Sequence, residues 1–230
     1  DLVKLCARHG TYAYLDKPLC RNDDDYERIA SAVSESGIKL TMNFTSRRYP
    51  PFVALQRAIH NDELGEIVSL ITTHPHKLGS SAPDWYFDST RYAGVFHDLA
   101  GHGVDQILWL TGTTATVVHA MGTAKRWTTE PVLEVDHIQA SIQLSSGALA
   151  TATADWLTPQ NSPSFGDTRF ILMGTKGSAH LHAYAENGLL ICSEKKGRYS
   201  PDLPKTSNEG FVEDAISAFE RGEENFVSTE

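Results

Sequence analysis

The chain has 230 residues, 40% of them hydrophobic and 21% charged, enough to build one large core or two modest ones. No apolar run approaches the roughly 20 residues a membrane helix needs. A formal net charge of -9 offers no basic face for nucleic acid, so small molecules are the expected partners.

Residues 1–9 read as the last turns of a helix closed by Gly10, which implies that the natural start lies upstream. A short strand is expected over residues 11–15, running into Asp16-Lys17-Pro18, where proline ends regular pairing. Asn22 or Asp23 caps the next helix, Tyr26, Ile29, Ala30 and Val33 repeat at helical spacing, and Gly37 closes it before a strand over residues 38–44. Strand, helix and strand in that order predict a parallel β-α-β unit. Beyond Ser46 the pattern changes. Pro50-Pro51 opens a helix with Phe52, Leu55 and Ile59 on one face, Gly65 precedes a strand over 66–74, and a polar and aromatic loop spans 75–92. A long helix follows over about 94–110. Strands are then expected over 116–121, 138–144, 148–156, 170–173, 178–183 and 189–192, with turns at Ser145-Ser146-Gly147 and Gly174-Thr175-Lys176-Gly177. A final helix, with Val212, Ala215, Ile216 and Phe219 on one face, is closed by Gly222. The fold class is therefore α/β followed by α+β, the second part a large open, mainly antiparallel sheet with helices on one face.

The long helix is the most informative stretch for chemistry. Asp98, His102 and Asp105 fall four and three residues apart and share one face. Between Arg91 and Lys125 there is no Lys, Arg or Glu, unlike a solvated helix face, so these polar groups are expected to be buried and partnered. Histidine suits proton transfer near neutral pH, and a carboxylate one turn away can orient it, which makes Asp98 and His102 a candidate dyad. Gly101 and Gly103 flank the histidine and permit close approach of another backbone or a ligand, at a cost to the helix. Lys17 sits at a strand end, where α/β sheets bind ligands. Arg47, Arg48, Trp85, Tyr86 and Arg91 are further candidates to line a substrate site.

Leu15-Asp16-Lys17-Pro18-Leu19 after a strand, then Trp85, then Gly94-Val95-Phe96-His97-Asp98-Leu99-Ala100-Gly101-His102-Gly103-Val104-Asp105 and Trp109-Leu110-Thr111-Gly112, resembles the glucose-fructose oxidoreductase and inositol dehydrogenase family, Gfo/Idh/MocA. Gly65-Glu66-Ile67 and Gly174-Thr175-Lys176-Gly177 add to the similarity, which spans essentially the whole chain. The resemblance implies that residues 1–46 are the C-terminal part of a Rossmann nucleotide-binding domain and 47–230 a substrate-binding and oligomerisation domain. It implies an NAD(P)-dependent dehydrogenase acting on a sugar or cyclitol. Lys17, Asp98 and His102 would be catalytic, with Asp16, Lys17 and Pro18 at the NAD or NADP cofactor and Arg48, Trp85 and Asp105 at the substrate. A cis Lys17-Pro18 bond and a homo-oligomer through the sheet face are implied as well. Where the family usually has Glu this chain has Asp16. No Gly-x-Gly-x-x-Gly fingerprint occurs, so the first Rossmann strands are expected upstream, both ends are expected to be truncated, and the chain as given is expected to bind NAD(P) poorly.

Cys6, Cys20 and Cys192, odd in number and widely spaced, fit a reducing compartment, and a cytoplasmic location is expected. Two rival readings stand beside the dehydrogenase. His74 and His76 could join Asp98 and His102 as ligands of a metal-dependent hydrolase, zinc being suitable. Alternatively the chain is a non-catalytic relative that assembles through its sheet face. The dehydrogenase reading expects no metal, no membrane and no nucleic acid.

Overall fold

The computed structural model describes residues 2–79, 82–129, 133–185, 188–206, 210–223, 225 and 227. In chain order the elements are α1 (Leu2–His9), β1 (Ala13–Leu15), α2 (Asp23–Ser36), β2 (Leu40–Met42), α3 (Pro50–His60), β3 (Ile67–Pro75), α4 (Gly101–Thr111), β4 (Ala115–Thr123), β5 (His137–Leu144), β6 (Leu149–Asp155), β7 (Arg169–Gly174), β8 (Gly177–His182), β9 (Leu189–Ser193), β10 (Gly197–Tyr199) and α5 (Gly210–Arg221). Short 3-10 turns cover Thr45–Arg48 and Asp84–Phe87, and a π-helical turn, Phe96–Ala100, leads directly into α4. Among the described residues no helix is long and apolar enough to cross a membrane.

The chain divides into two compact units, Asp1–Tyr49 with Thr206–Glu230, and Pro50–Lys205. In the first, β1 and β2 pair in parallel, Ala13 opposite Leu40 and Leu15 opposite Met42, joined by α2. The helix is bounded as its end residues dictate: the Asn22 side chain accepts from the amide of Asp25, and Gly37 closes it at φ 67°. The expected division at residues 46 and 47 differs in its C-terminal part, because the end of the chain returns to the first unit. Phe211 and Val227 are buried in one cluster with Val3, Ala13, Ile38, Leu40 and Met42. That packing also corrects the face expected for α5: Phe211, Ala215 and Ala218 are its buried residues, while Val212 and Ile216 are about half exposed. The apolar stripe alone could not decide between the two, since small alanines allow closer packing than the larger side chains beside them.

The second unit is built on an eight-stranded sheet of order β10-β9-β8-β7-β3-β6-β5-β4. Every neighbouring pair is antiparallel except β3 and β6, which run parallel at its centre. Alternation sends Leu70, Thr72 and His74 of β3, the alanines 150, 152 and 154 of β6, and Phe170 and Leu172 of β7 to one buried face. Phe52 of α3 meets Phe170 edge-on at 5.7 Å on that face. The opposite face leaves Ile71, Leu149 and Met173 exposed. β10 was not anticipated: three residues, Gly-Arg-Tyr, carry too little alternation to read as a strand.

Candidate active site

The helix expected over 94–110 is present but is not a regular α-helix. Across Phe96–Ala100 its hydrogen bonds span five residues, the amide of Gly101 donating to the carbonyl of Phe96, and α4 then runs to Gly112, which ends it in the left-handed conformation. Such inserted turns recur at functional sites. Asp98 lies inside the widened turn, His102 just beyond it, and Asp105 a turn further along.

Asp98 is buried, 7% exposed, and its carboxylate is held by phenols. The hydroxyl of Tyr92 donates to Oδ2 at 3.1 Å, and Tyr86 also hydrogen-bonds the carboxylate. The indole N–H of Trp156 donates to the Tyr92 oxygen at 3.0 Å. The rings pack as a group: Tyr86 and Tyr92 stack at 5.0 Å between centroids, Trp85 meets Tyr86 at 4.4 Å, and Trp156 lies 5.7 Å from Tyr86. Burial first, and the charge of Asp98 second, push the pKa of both tyrosines upward, so the phenols stay protonated and keep donating. A hollow of about 340 Å³ opens against the same two tyrosines, with Phe87, Gly94 and Glu134 also in its lining.

His102 stacks on His74 with ring centroids 6.5 Å apart. His74 is fully enclosed, and its Nε2 hydrogen-bonds the Thr72 hydroxyl at 2.9 Å. Burial, reinforced by the nearby His102 and His76, pushes its pKa down to about 3, so it is neutral. Gly103 explains how α4 comes so close: a Cβ there would stand 2.7 Å from both His74 Nε2 and Thr72 Cγ2. At Gly101 the same atom would meet nothing within 4 Å, so only one of the two glycines flanking His102 is required by packing.

The ligand set of the hydrolase reading is not assembled. His76 is enclosed edge-on by Phe165 and Trp156, at 4.9 and 6.2 Å, and among the described residues no three His, Cys, Asp or Glu side chains are grouped as a metal site.

In the first unit, Lys17 follows β1, its peptide bond to Pro18 is cis, and its amide donates to the Asp16 side chain at 3.0 Å. This is a strand end of a parallel pair, the kind of position at which α/β sheets bind ligands. No Gly-x-Gly-x-x-Gly phosphate loop occurs in the sequence. Arg48 belongs to this unit too, where its guanidinium pairs with Asp214 of α5 and its carbonyl accepts from the Thr206 hydroxyl. The structure thus gathers Trp85, Asp98, His102 and Asp105 in the second unit and Asp16, Lys17, Pro18 and Arg48 in the first. Tyr92, Trp156 and Asp136 escaped the sequence reading. The crowd of aromatic residues just before the long helix was the one available signal.

A parallel β-α-β unit and a mixed eight-stranded sheet whose helix carries a buried carboxylate and a histidine make this an α/β protein of two units. The chain belongs to the Gfo/Idh/MocA family: residues 52–180 match the model of the GFO/IDH/MocA C-terminal domain. Among similar proteins are the inositol 2-dehydrogenase of Rhizobium meliloti, 28% identical over 77% of this chain and 52% of that protein, and the uncharacterized oxidoreductase YrbE of Bacillus subtilis, 26% identical over 78% and 50%. The chain spans about half the length of the curated relatives it matches. Among solved structures of the same fold, a levoglucosan dehydrogenase in complex with NADH and levoglucosan superposes with a TM-score of 0.85 at 20% identity, covering 99% of this chain and 69% of that one. The aldose-aldose oxidoreductase of Caulobacter crescentus complexed with glycerol gives 0.82 at 20% identity, covering 99% and 68%.

Proposed function

We propose that this chain carries the proton-transfer half of an NAD(P)-dependent dehydrogenase acting on a hydroxyl of a sugar or cyclitol. The observation that carries the reading is the pairing, on one helix, of a buried carboxylate fixed by protonated phenols with a histidine four residues on. Family membership and the dehydrogenases among the relatives support it. NAD(P), when bound, supplies the hydride acceptor. His102 accepts the proton of the substrate hydroxyl as the carbon loses hydride, and Asp98 stabilises the imidazolium that results. In the first unit Lys17 is the further catalytic residue, with Asp16 and Pro18 beside it at the cofactor. Trp85 and Asp105 of the second unit contact the polyol, and Arg48, paired with Asp214, is the substrate-binding candidate of the first.

The protein also acts as a homo-oligomer through the open sheet face, where Ile71, Leu149 and Met173 are exposed, and works in the cytoplasm, consistent with its free cysteines. Sedimentation tests the first, since a monomer at micromolar concentration would contradict it. Turnover tests the mechanism. In the full-length protein, NAD(P)H formation with a panel of inositols and sugars is expected, and His102→Ala should lower it at least about a hundredfold while circular dichroism stays unchanged. Full turnover in that variant would remove the assignment.

A further inference from the structure

Buried acids are costly, and an apolar residue of similar size would hold the same space with less desolvation. Yet the surroundings of Asp98 are arranged to fix its direction. Indole N–H is a donor with no acceptor capacity, so the hydrogen bond between Trp156 and Tyr92 has one possible polarity, N–H to phenol oxygen. The single phenol proton of Tyr92 is therefore directed to the Asp98 carboxylate. Trp156 is itself pinned: the Trp127 indole donates to its carbonyl at 2.9 Å. Asp136 fixes that loop by accepting the amides of Lys125, Arg126 and Trp127 at 2.9, 2.7 and 3.0 Å. A run of donors with fixed polarity thus ends on Asp98 Oδ2.

We propose that Tyr92, oriented by Trp156, is a positioning residue that sets the rotation of the Asp98 carboxylate and so its alignment with His102. The proposal rests on the reading of Asp98 and His102 as the proton-transfer pair. Tyr92 makes no chemical step of its own. By occupying one lone-pair direction on Oδ2 it removes the carboxylate's freedom to turn, and such orientation is felt in turnover more than in substrate binding.

The test is a double-mutant cycle in the full-length protein, with NAD+ and NADP+ and a panel of myo-inositol, scyllo-inositol and levoglucosan as probes. Tyr92→Phe should lower kcat about tenfold with KM within about twofold, and should have no further effect in an Asp98→Asn background, because the carboxylate whose rotation it sets is already gone. Trp156→Phe, which keeps both Tyr92 and Asp98, should lower kcat in the same direction and lose its effect in the same background. On the chain alone, Tyr92→Phe should shift the Trp156 indole N–H resonance and speed its exchange. If Asp98→Asn impairs turnover but Tyr92→Phe does not, or if the two losses multiply independently, the positioning role is overturned while the dehydrogenase reading stands. If Asp98→Asn and His102→Ala are both silent, or the wild type turns over no member of the panel, that reading fails and the proposal falls with it.

Discussion

The strand end that carries Lys17 and the helix that carries Asp98 are held in place by different means. At Lys17 the backbone is set by its neighbours, a cis bond to the next residue and an amide bonded to the side chain one residue back, at the end of a short parallel pair. At Asp98 the hold reaches much further along the chain. Its carboxylate depends on Tyr92, which depends on Trp156, 64 residues further along the chain, and on a loop fixed by Asp136. A site built from neighbours in sequence tolerates change elsewhere, whereas one built from distant side chains inherits every weakness of the fold around it.

The contrast breaks most visibly at Asp136. Asp136→Ala would strand three backbone donors and should cost about 3 kcal/mol in denaturant unfolding, the order expected when buried donors lose a charged acceptor. It should also loosen the exchange of the Trp156 indole while leaving the amide of Lys17 as it was. Loss at Lys17 as well would erase the distinction between the two regions.

Acid sharpens it next. His74 has a folded pKa of about 3 against roughly 6.5 when unfolded, so its contribution is complete above about pH 6.5 and is lost as pH falls towards 3. Stability should fall by about 2 kcal/mol between pH 6.5 and 4.5, and a flat profile over that window would mean that His74 is open to solvent. Burial pushes the Asp136 carboxyl up, but the three amides outweigh it and hold it below the usual range. Its share is therefore present above about pH 4 and lost further into acid.

Opposite in sign at two neighbouring positions are the effects expected at the glycines beside His102. Gly103→Ala should destabilise by about 2 kcal/mol, because its Cβ would press on His74 and Thr72. Gly101→Ala, in helical conformation with open space around it, should gain about 0.5 to 1 kcal/mol. Thermal melts of the two variants suffice, and equal shifts would refute the packing account. The smallest effect is expected at Asp16→Ala, which removes one exposed hydrogen bond and should change stability by less than about 0.5 kcal/mol.

Residue order by itself determined the parallel β-α-β unit, the caps at Asn22 and Gly37, the helix opened by Pro50, the alternating strands around Ser145-Ser146-Gly147, and the placing of Asp98, His102 and Asp105 on one helix. Those features follow from periodicity, turn chemistry and the fixed torsion of proline, all of which act over a few residues. Other features came only from tertiary structure: the return of α5 to the first unit, the burial of Phe211 and Ala218 in place of Val212 and Ile216, the parallel pairing of β3 with β6, and the π turn at Asp98. The same is true of the rings around that carboxylate, since Trp156 meets Tyr92 only where the π turn packs against β6. Which distant side chain meets a given group is decided by the packing of whole layers, and a one-dimensional pattern carries that choice only where a single spacing can satisfy it.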